Sequence, residues 1–208
     1  INNQIFIYQA EVYPNTELNE DSYRKKYQIK TKKIELLETH CSPKEQKWLK
    51  EYQEIVVGTL SMTQEDWKKR NLFSTILMVV HSFKLGFYLM NYLKNEMTIS
   101  GRDFIKYICD KASKKKHPFI YSKLIKKTND WSDNMLKGKG RSILNKKYSD
   151  VYLDIEEIMF LEISENLDLF YSELKNLFKN LIGENKWKKN YEIINEIFIY
   201  QNLRMPRI

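Results

Sequence analysis

Ser61 to Leu93 reads SMTQEDWKKRNLFSTILMVVHSFKLGFYLMNYL, and the spacing of its apolar residues decides the fold class. Phe73, Ile76, Leu77, Val80, Phe83 and Phe87 recur at helical intervals, while Leu72, Val79, Leu85, Leu89 and Leu93 occupy the remaining faces. A helix that is apolar nearly all round is one sheathed by neighbours rather than one lying on a surface. Thr63 and Asp66 form a shortened capping box at its start, and Glu65 and Asp66 complement the positive end of the helix dipole. The expectation is a single long central helix; about thirty residues at ~1.5 Å each make it roughly 45 Å long. Ser74, Thr75, His81, Ser82 and Lys84 interrupt the run, and a lysine in mid-membrane costs about 2.5 to 3.5 kcal/mol, so a membrane span is disfavoured. His81, in mid-helix among apolar neighbours, reads as a core histidine held by a hydrogen bond.

At 208 residues the chain is long enough to bury a sizeable core as one large domain or a domain with an appendage. Its 35 Lys and Arg against 27 Asp and Glu leave a charge of +8. The basic residues fall in short scattered clusters and Lys outnumbers Arg, which favours a solvated charged face over a nucleic-acid surface. Two cysteines, Cys41 and Cys109, match no metal or redox spacing and suit unpaired thiols in a reducing cytoplasm. INNQIFIYQA lacks the basic start and cleavage site of a signal peptide, and the chain does not open on Met; the expectation is a fragment of something longer.

Around the central segment the chain reads as follows. Gln4 to Val12, QIFIYQAEV, is an apolar strand with Ile5, Ile7 and Gln9 on one side and Phe6, Tyr8 and Ala10 on the other, ended by Pro14. Glu54 to Thr59 is the one other stretch suited to pair with it, so the expectation is a strand orphaned from a larger sheet. Thr16 or Asn19 is placed to cap a short helix over Ser22 to Tyr27, and Gln28 to Lys50 reads as an exposed irregular loop with a helical turn at Lys44 to Tyr52. Ser100 caps a helix edged by Phe104, Ile105 and Ile108, and Pro118 opens another that fades near Leu136. KGKGRS, Lys137 to Ser142, reads as a mobile connector. Tyr152 to Leu181 reads as a second long helix, striped by Ile155, Met159, Ile163, Leu167, Phe170, Leu174, Leu177 and Leu181 and stopped by Gly183. A last helix from about Asn185 to Tyr200 turns Trp187, Tyr191, Ile194 and Phe198 inward. The fold class is mainly α: a helical bundle around the central helix, with one short N-terminal strand.

No catalytic constellation is present in the sequence. His40, His81 and His117 are widely spaced, there is no HExxH or nucleophile elbow, and the paired acids Glu65 with Asp66 and Glu156 with Glu157 sit at helix starts, where the dipole explains them.

Several segments carry a resemblance: the N-terminal strand followed by PNTEL at Pro14 to Leu18, Tyr23 with KKYQIK at Lys25 to Lys30, EYQEIVVGTLSMTQEDW at Glu51 to Trp67, and IFIYQ at Ile197 to Gln201. In this order they resemble the C-terminal part of radical S-adenosylmethionine proteins that carry an N-terminal cobalamin-binding domain. The resemblance implies that the strand is a remnant of the family's partial α/β barrel, that residues 1–60 are barrel remnant and linker, and that 61–208 form a C-terminal helical domain. It also implies that Gln9, Glu11 and Tyr13, at the carboxyl end of the strand, face a cofactor or substrate. The family's CxxxCxxC, whose thiolates hold an iron–sulfur cluster, is absent, and Cys41 and Cys109 do not replace it. The parent by resemblance uses S-adenosylmethionine, a 4Fe-4S cluster and cobalamin, whereas this piece holds no cofactor and no metal and does no radical chemistry alone. Its expected partners are the missing cobalamin-binding and barrel domains, or a second copy through the exposed strand edge. From a different class, the charge leaves open a stand-alone basic helical module that binds nucleic acid or protein.

Overall fold

The computed structural model describes residues 4–45 and 47–208, so the reading of the opening residues falls outside it at Ile1 to Asn3. The fold is mainly α, and among the described residues the strands form only short antiparallel pairs. Two compact units divide the chain. A mixed unit takes Ile7–Asn71 and Thr128–Ile158; a helical unit takes 4–6, Leu72–Lys127 and Met159–Ile208.

In the mixed unit the stretch read as an irregular loop is instead the partner strand of the sheet. β1 (Lys30–Glu35) pairs antiparallel with β4 (Tyr52–Gly58), with Lys32 opposite Ile55 and Ile34 opposite Gln53. β1 is KTKKIE, with one apolar residue in six, and that residue, Ile34, is fully buried. Its lysines mark the outer edge of the sheet, a composition that discourages further strands from joining there. The inner edge of β4 takes the N-terminal segment over a short span: the Val12 amide donates to the Glu54 carbonyl and the Val56 amide to the Ala10 carbonyl, both at 2.8 Å. The expected pairing of this segment with Glu54 to Thr59 is therefore realised only over its last residues. It does not hide the segment, since Tyr8 remains 74 % and Ile5 40 % exposed.

A second hairpin joins β2 (Glu38–Thr39) to β3 (Ser42–Pro43) through His40 and Cys41, both at positive φ, and no helical turn forms among the described residues between Lys44 and Tyr52. α1 (Asp21–Tyr27) lacks the predicted side-chain cap: Thr16 donates to the Tyr13 carbonyl, and Asn19 accepts from Arg24. The core of the unit joins Ile34, Ile55, Val57, Trp67 and Met135, covered by Met62, Trp131 and Leu136. Trp131 and Met135 lie on α5 (Lys127–Leu136), the end of the predicted Pro118 helix, whose first part winds as a π-helix over Ile120–Lys126. The remaining strands, β5 (Ile143–Asn145) and β6 (Val151–Leu153), pair antiparallel.

The predicted central helix is two helices. α2 (Gln64–Leu77) starts at the expected capping box, with the Asp66 amide donating to Thr63 Oγ1 and the Thr63 amide to the Asp66 carboxylate, each at 3.1 Å. The chain then widens into a π turn over Met78–Ser82, passes Lys84 at φ +69°, and restarts as α3 (Phe87–Met97), bent by 91°. Side chains explain the break. Gln201 Nε2 donates to the Leu85 carbonyl and its Oε1 accepts from the Tyr88 amide at 3.0 Å, so one buried side chain replaces helix hydrogen bonds the bend removes. Gly86 donates its amide to the Val80 carbonyl at 2.7 Å, and a Cβ there would lie 2.4 Å from Val80 Cγ1. Gly86→Ala is accordingly expected to cost about 1 to 2 kcal/mol, read as a lowered urea midpoint; an unchanged midpoint would show that Val80 moves freely. No single helix among the described residues is long and apolar enough to cross a membrane.

The second predicted long helix is also broken. Tyr152 belongs to β6, and Asn166 separates α6 (Ile155–Ser164) from α7 (Leu167–Ile182). The stripe survives because the break is short: Met159, Ile163, Leu167, Phe170, Leu174 and Leu177 are all buried. α7 packs on α4 (Gly101–Lys111), on the Ile120–Lys126 turn, on α8 (Glu184–Lys189) and on α9 (Tyr191–Leu203), while α3 packs on α4 and α9. Phe178 stacks edge-on with Phe104 at 5.9 Å and with Phe198 at 5.8 Å, joining three of these helices. α4 is capped as expected, with Ser100 Oγ accepting from the Asp103 amide. The predicted last helix divides at Asn190; Trp187, Ile194 and Phe198 are buried, whereas Tyr191 is 46 % exposed.

Candidate functional site

Gln9, Glu11 and Tyr13 lie along the segment that meets β4 at an isolated bridge between Glu11 and Ile55. Within the mixed unit each meets polar partners. Gln9 Nε2 donates to Asn71 Oδ1 at 2.9 Å, and Arg70 donates to the same Oδ1 at 3.2 Å, to Gln9 Oε1 at 3.3 Å and to the Tyr8 carbonyl at 3.0 Å. Asn71, fully buried, donates onward to Ser132 Oγ at 3.1 Å. Burial lowers the Arg70 pKa, yet the group keeps its charge because an arginine starts so high.

Two residues along, Tyr13 donates its hydroxyl to Glu11 Oε2 at 2.5 Å, while Arg141 Nη1 donates to Glu11 Oε1 at 3.3 Å. The hydrogen bond to the Glu11 carboxylate, then its charge, raises the Tyr13 pKa, so the phenol stays protonated. Arg141 also lies 3.6 Å from Asp154. Beside it Glu156, half-buried at the start of α6, is raised to about 7, first by burial and then by the neighbouring charges of Asp154 and Glu157; Arg141 opposes the rise. The site is thus a row of hydrogen-bonding groups with a fixed cation between carboxylates and one carboxyl able to change protonation near neutrality.

Sequence reasoning placed the three residues at the end of a strand over Gln4 to Val12; among the described residues of that stretch only an isolated bridge forms, Glu11 opposite Ile55, and the polar partners of the three were missed. Arg70 and Asn71 are on α2, where the reading attended to apolar periodicity. Arg141 lay in the segment read as a mobile connector, which is packed in place: the Trp131 indole donates to the Arg141 carbonyl at 2.6 Å, and a Cβ on Gly140 would lie 2.6 Å from the Glu35 carbonyl oxygen. Glu156 and Glu157 do begin a helix, but only Glu157 serves the helix start, accepting from the Asp154 amide at 2.9 Å. The one basic residue of KGKGRS able to form a bidentate contact was the available signal.

His81 departs from its expected role. Its Nδ1 is buried with no hydrogen-bond partner among the described residues, and the ring meets Phe87 edge-on at 5.3 Å. Cys41 is exposed in the mixed unit, and Cys109 is half-buried in the helical unit, where burial pushes its thiol up to about 12. Two sulfurs in different units, one firmly protonated, do not fit an iron–sulfur cluster that needs three thiolates. Among the described residues no three His, Cys, Asp or Glu side chains gather as a metal site. No protein-family model matches the sequence, and no curated protein matches it.

Proposed function

We propose that this chain is the C-terminal part of a radical S-adenosylmethionine protein of the cobalamin-binding-domain type, and that Gln9, Glu11 and Tyr13 border the substrate side of the catalytic barrel. One observation carries the reading. The segments of the resemblance from Ile7 to Trp67 fold together in one compact unit, where Gln9 is tied to Arg70 and Asn71, Glu11 to Arg141 and Tyr13 to Glu11, while IFIYQ at Ile197 to Gln201 belongs to the helical unit. The iron–sulfur cluster does not fit this chain's two cysteines and would be held by residues outside it, and no step of radical chemistry is assigned here.

The chain's own residues would bind and orient. Gln9, held by Arg70 and Asn71, offers a fixed amide to a polar substrate group. Arg141 and Tyr13 each donate to one Glu11 oxygen and so fix the carboxylate in place, and Tyr13 and Glu11 set polar groups side by side. The helical unit would pack on the barrel and shield the reaction from water.

The test is the complete gene product, purified without oxygen and supplied with reductant and S-adenosylmethionine. The expected result is release of 5′-deoxyadenosine, with substrate-stimulated release reduced about tenfold or more in Glu11→Gln while release without substrate is unchanged. A gene whose product lacks a three-cysteine cluster, or a product that releases none, would overturn the reading.

A further inference from the structure

The bend between α2 and α3 leaves a notch in the helical unit that the packing does not fill. Phe73 and Leu77 on the last turns of α2, with Phe87 and Met90 on the first turn of α3 and Ile5, wall a cavity of about 610 Å³. That lies within the ~300–1,000 Å³ range of small-molecule sites. Gly101, where α4 begins, lines it as well: a Cβ there would come within 2.5 Å of the Met90 methyl, so the missing side chain leaves this wall open.

The polar lining is one-sided in charge. Lys94 and Arg102 border the cavity, and no carboxylate does among the described residues. Lys94 forms no ion pair among the described residues, and Arg102 has only a 3.9 Å approach from its neighbour Asp103, whose other oxygen is engaged by Ser100. Arg102 sits in the first turn of α4, the positive end of the helix dipole, where a cation is disfavoured. Nothing in the fold's stability asks for it there. His81 also lines the cavity.

We propose that this cavity binds a single-chain amphiphile with a carboxylate head, the chain lying between Phe73, Leu77, Phe87 and Met90 and the head held by Lys94 and Arg102. An apolar trough alone would accept any greasy molecule; two cations at its border, with no carboxylate among the described lining residues, select the anionic one. The proposal does not depend on the radical chemistry above, since none of its residues belongs to the Gln9–Glu11–Tyr13 cluster.

The experiment titrates the whole chain, by calorimetry, with decanoate, 1-decanol and decyltrimethylammonium, each below its aggregation concentration. Decanoate is expected to bind saturably and at least tenfold more tightly than the alcohol or the cation, and to weaken as salt is raised. The exposed pair Lys94→Glu with Arg102→Glu is expected to lose tenfold or more for decanoate while leaving 1-decanol and the circular dichroism spectrum unchanged. Equal affinity for the three ligands, indifference to the charge reversal, or binding to anionic vesicles without saturable binding of monomeric decanoate would each overturn it. The three-ligand comparison on the unaltered chain decides the matter even if the doubly substituted chain does not fold.

Discussion

Replacing Glu173 by alanine is expected to lower the unfolding free energy by about 4 kcal/mol, the largest loss from any single carboxylate in the helical unit. Glu173 is on α7 and only 5 % exposed, and its two oxygens accept from the Phe119 and Ile120 amides, each at 2.9 Å. These amides open the helix that follows Pro118, and the first amides of a helix have no partner within it. The carboxylate therefore does from another helix what a capping residue does locally, and its charge lies at the positive end of the dipole. Truncation strands two buried donors, each costing about 1 to 3 kcal/mol, and leaves a void where the side chain lay. Glu173→Gln preserves one acceptor oxygen but turns an amide donor toward the other N–H, so it is expected to fall between the alanine variant and the unaltered chain. Urea titrations followed by circular dichroism give the ordering; a glutamate-to-alanine cost below about 1 kcal/mol would show that water reaches these amides.

Glu156→Gln is expected to act in the opposite direction and only at higher pH. The carboxyl lies near 4.5 in an unfolded chain and about 7 in the fold. The folded state thus holds a proton that the unfolded state releases between these values. A raised pKa contributes stability that is complete below about 4.5 and is lost as pH rises through about 7, so ionised Glu156 weighs against folding at pH 8. The difference converts to roughly 3 kcal/mol, and partial hydration of a half-buried group reduces it to about 2. Removing the charge should raise stability at pH 8 by that amount and leave it nearly unchanged at pH 4, with the gain appearing across the interval between. If the gain is equal at both values, loss of the charge is not its source.

Burial, capping and helix identity were legible in the sequence because they depend on neighbours within a turn or two. The Thr63 and Ser100 caps, the buried stripe of α6 and α7 and the helix after Pro118 all follow from local spacing, and so does the mainly α class. The lengths of the two long helices were not, because both breaks leave the apolar pattern almost in phase. Gly86 permits the first break, but Gln201, more than a hundred residues away, supplies the hydrogen bonds that make it affordable. β1 was invisible for a related reason. This edge strand has a single buried residue, Ile34, and its partner β4 supplies the backbone pairing that its own composition does not announce. The sequence alternation marked Gln9, Glu11 and Tyr13 as polar groups at the end of an apolar run. Which groups they would meet, Arg70 and Asn71 from one helix and Arg141 from a glycine-rich turn, was decided by tertiary packing alone, because hydrogen bonds between residues 60 to 130 positions apart leave no periodic trace in a single sequence.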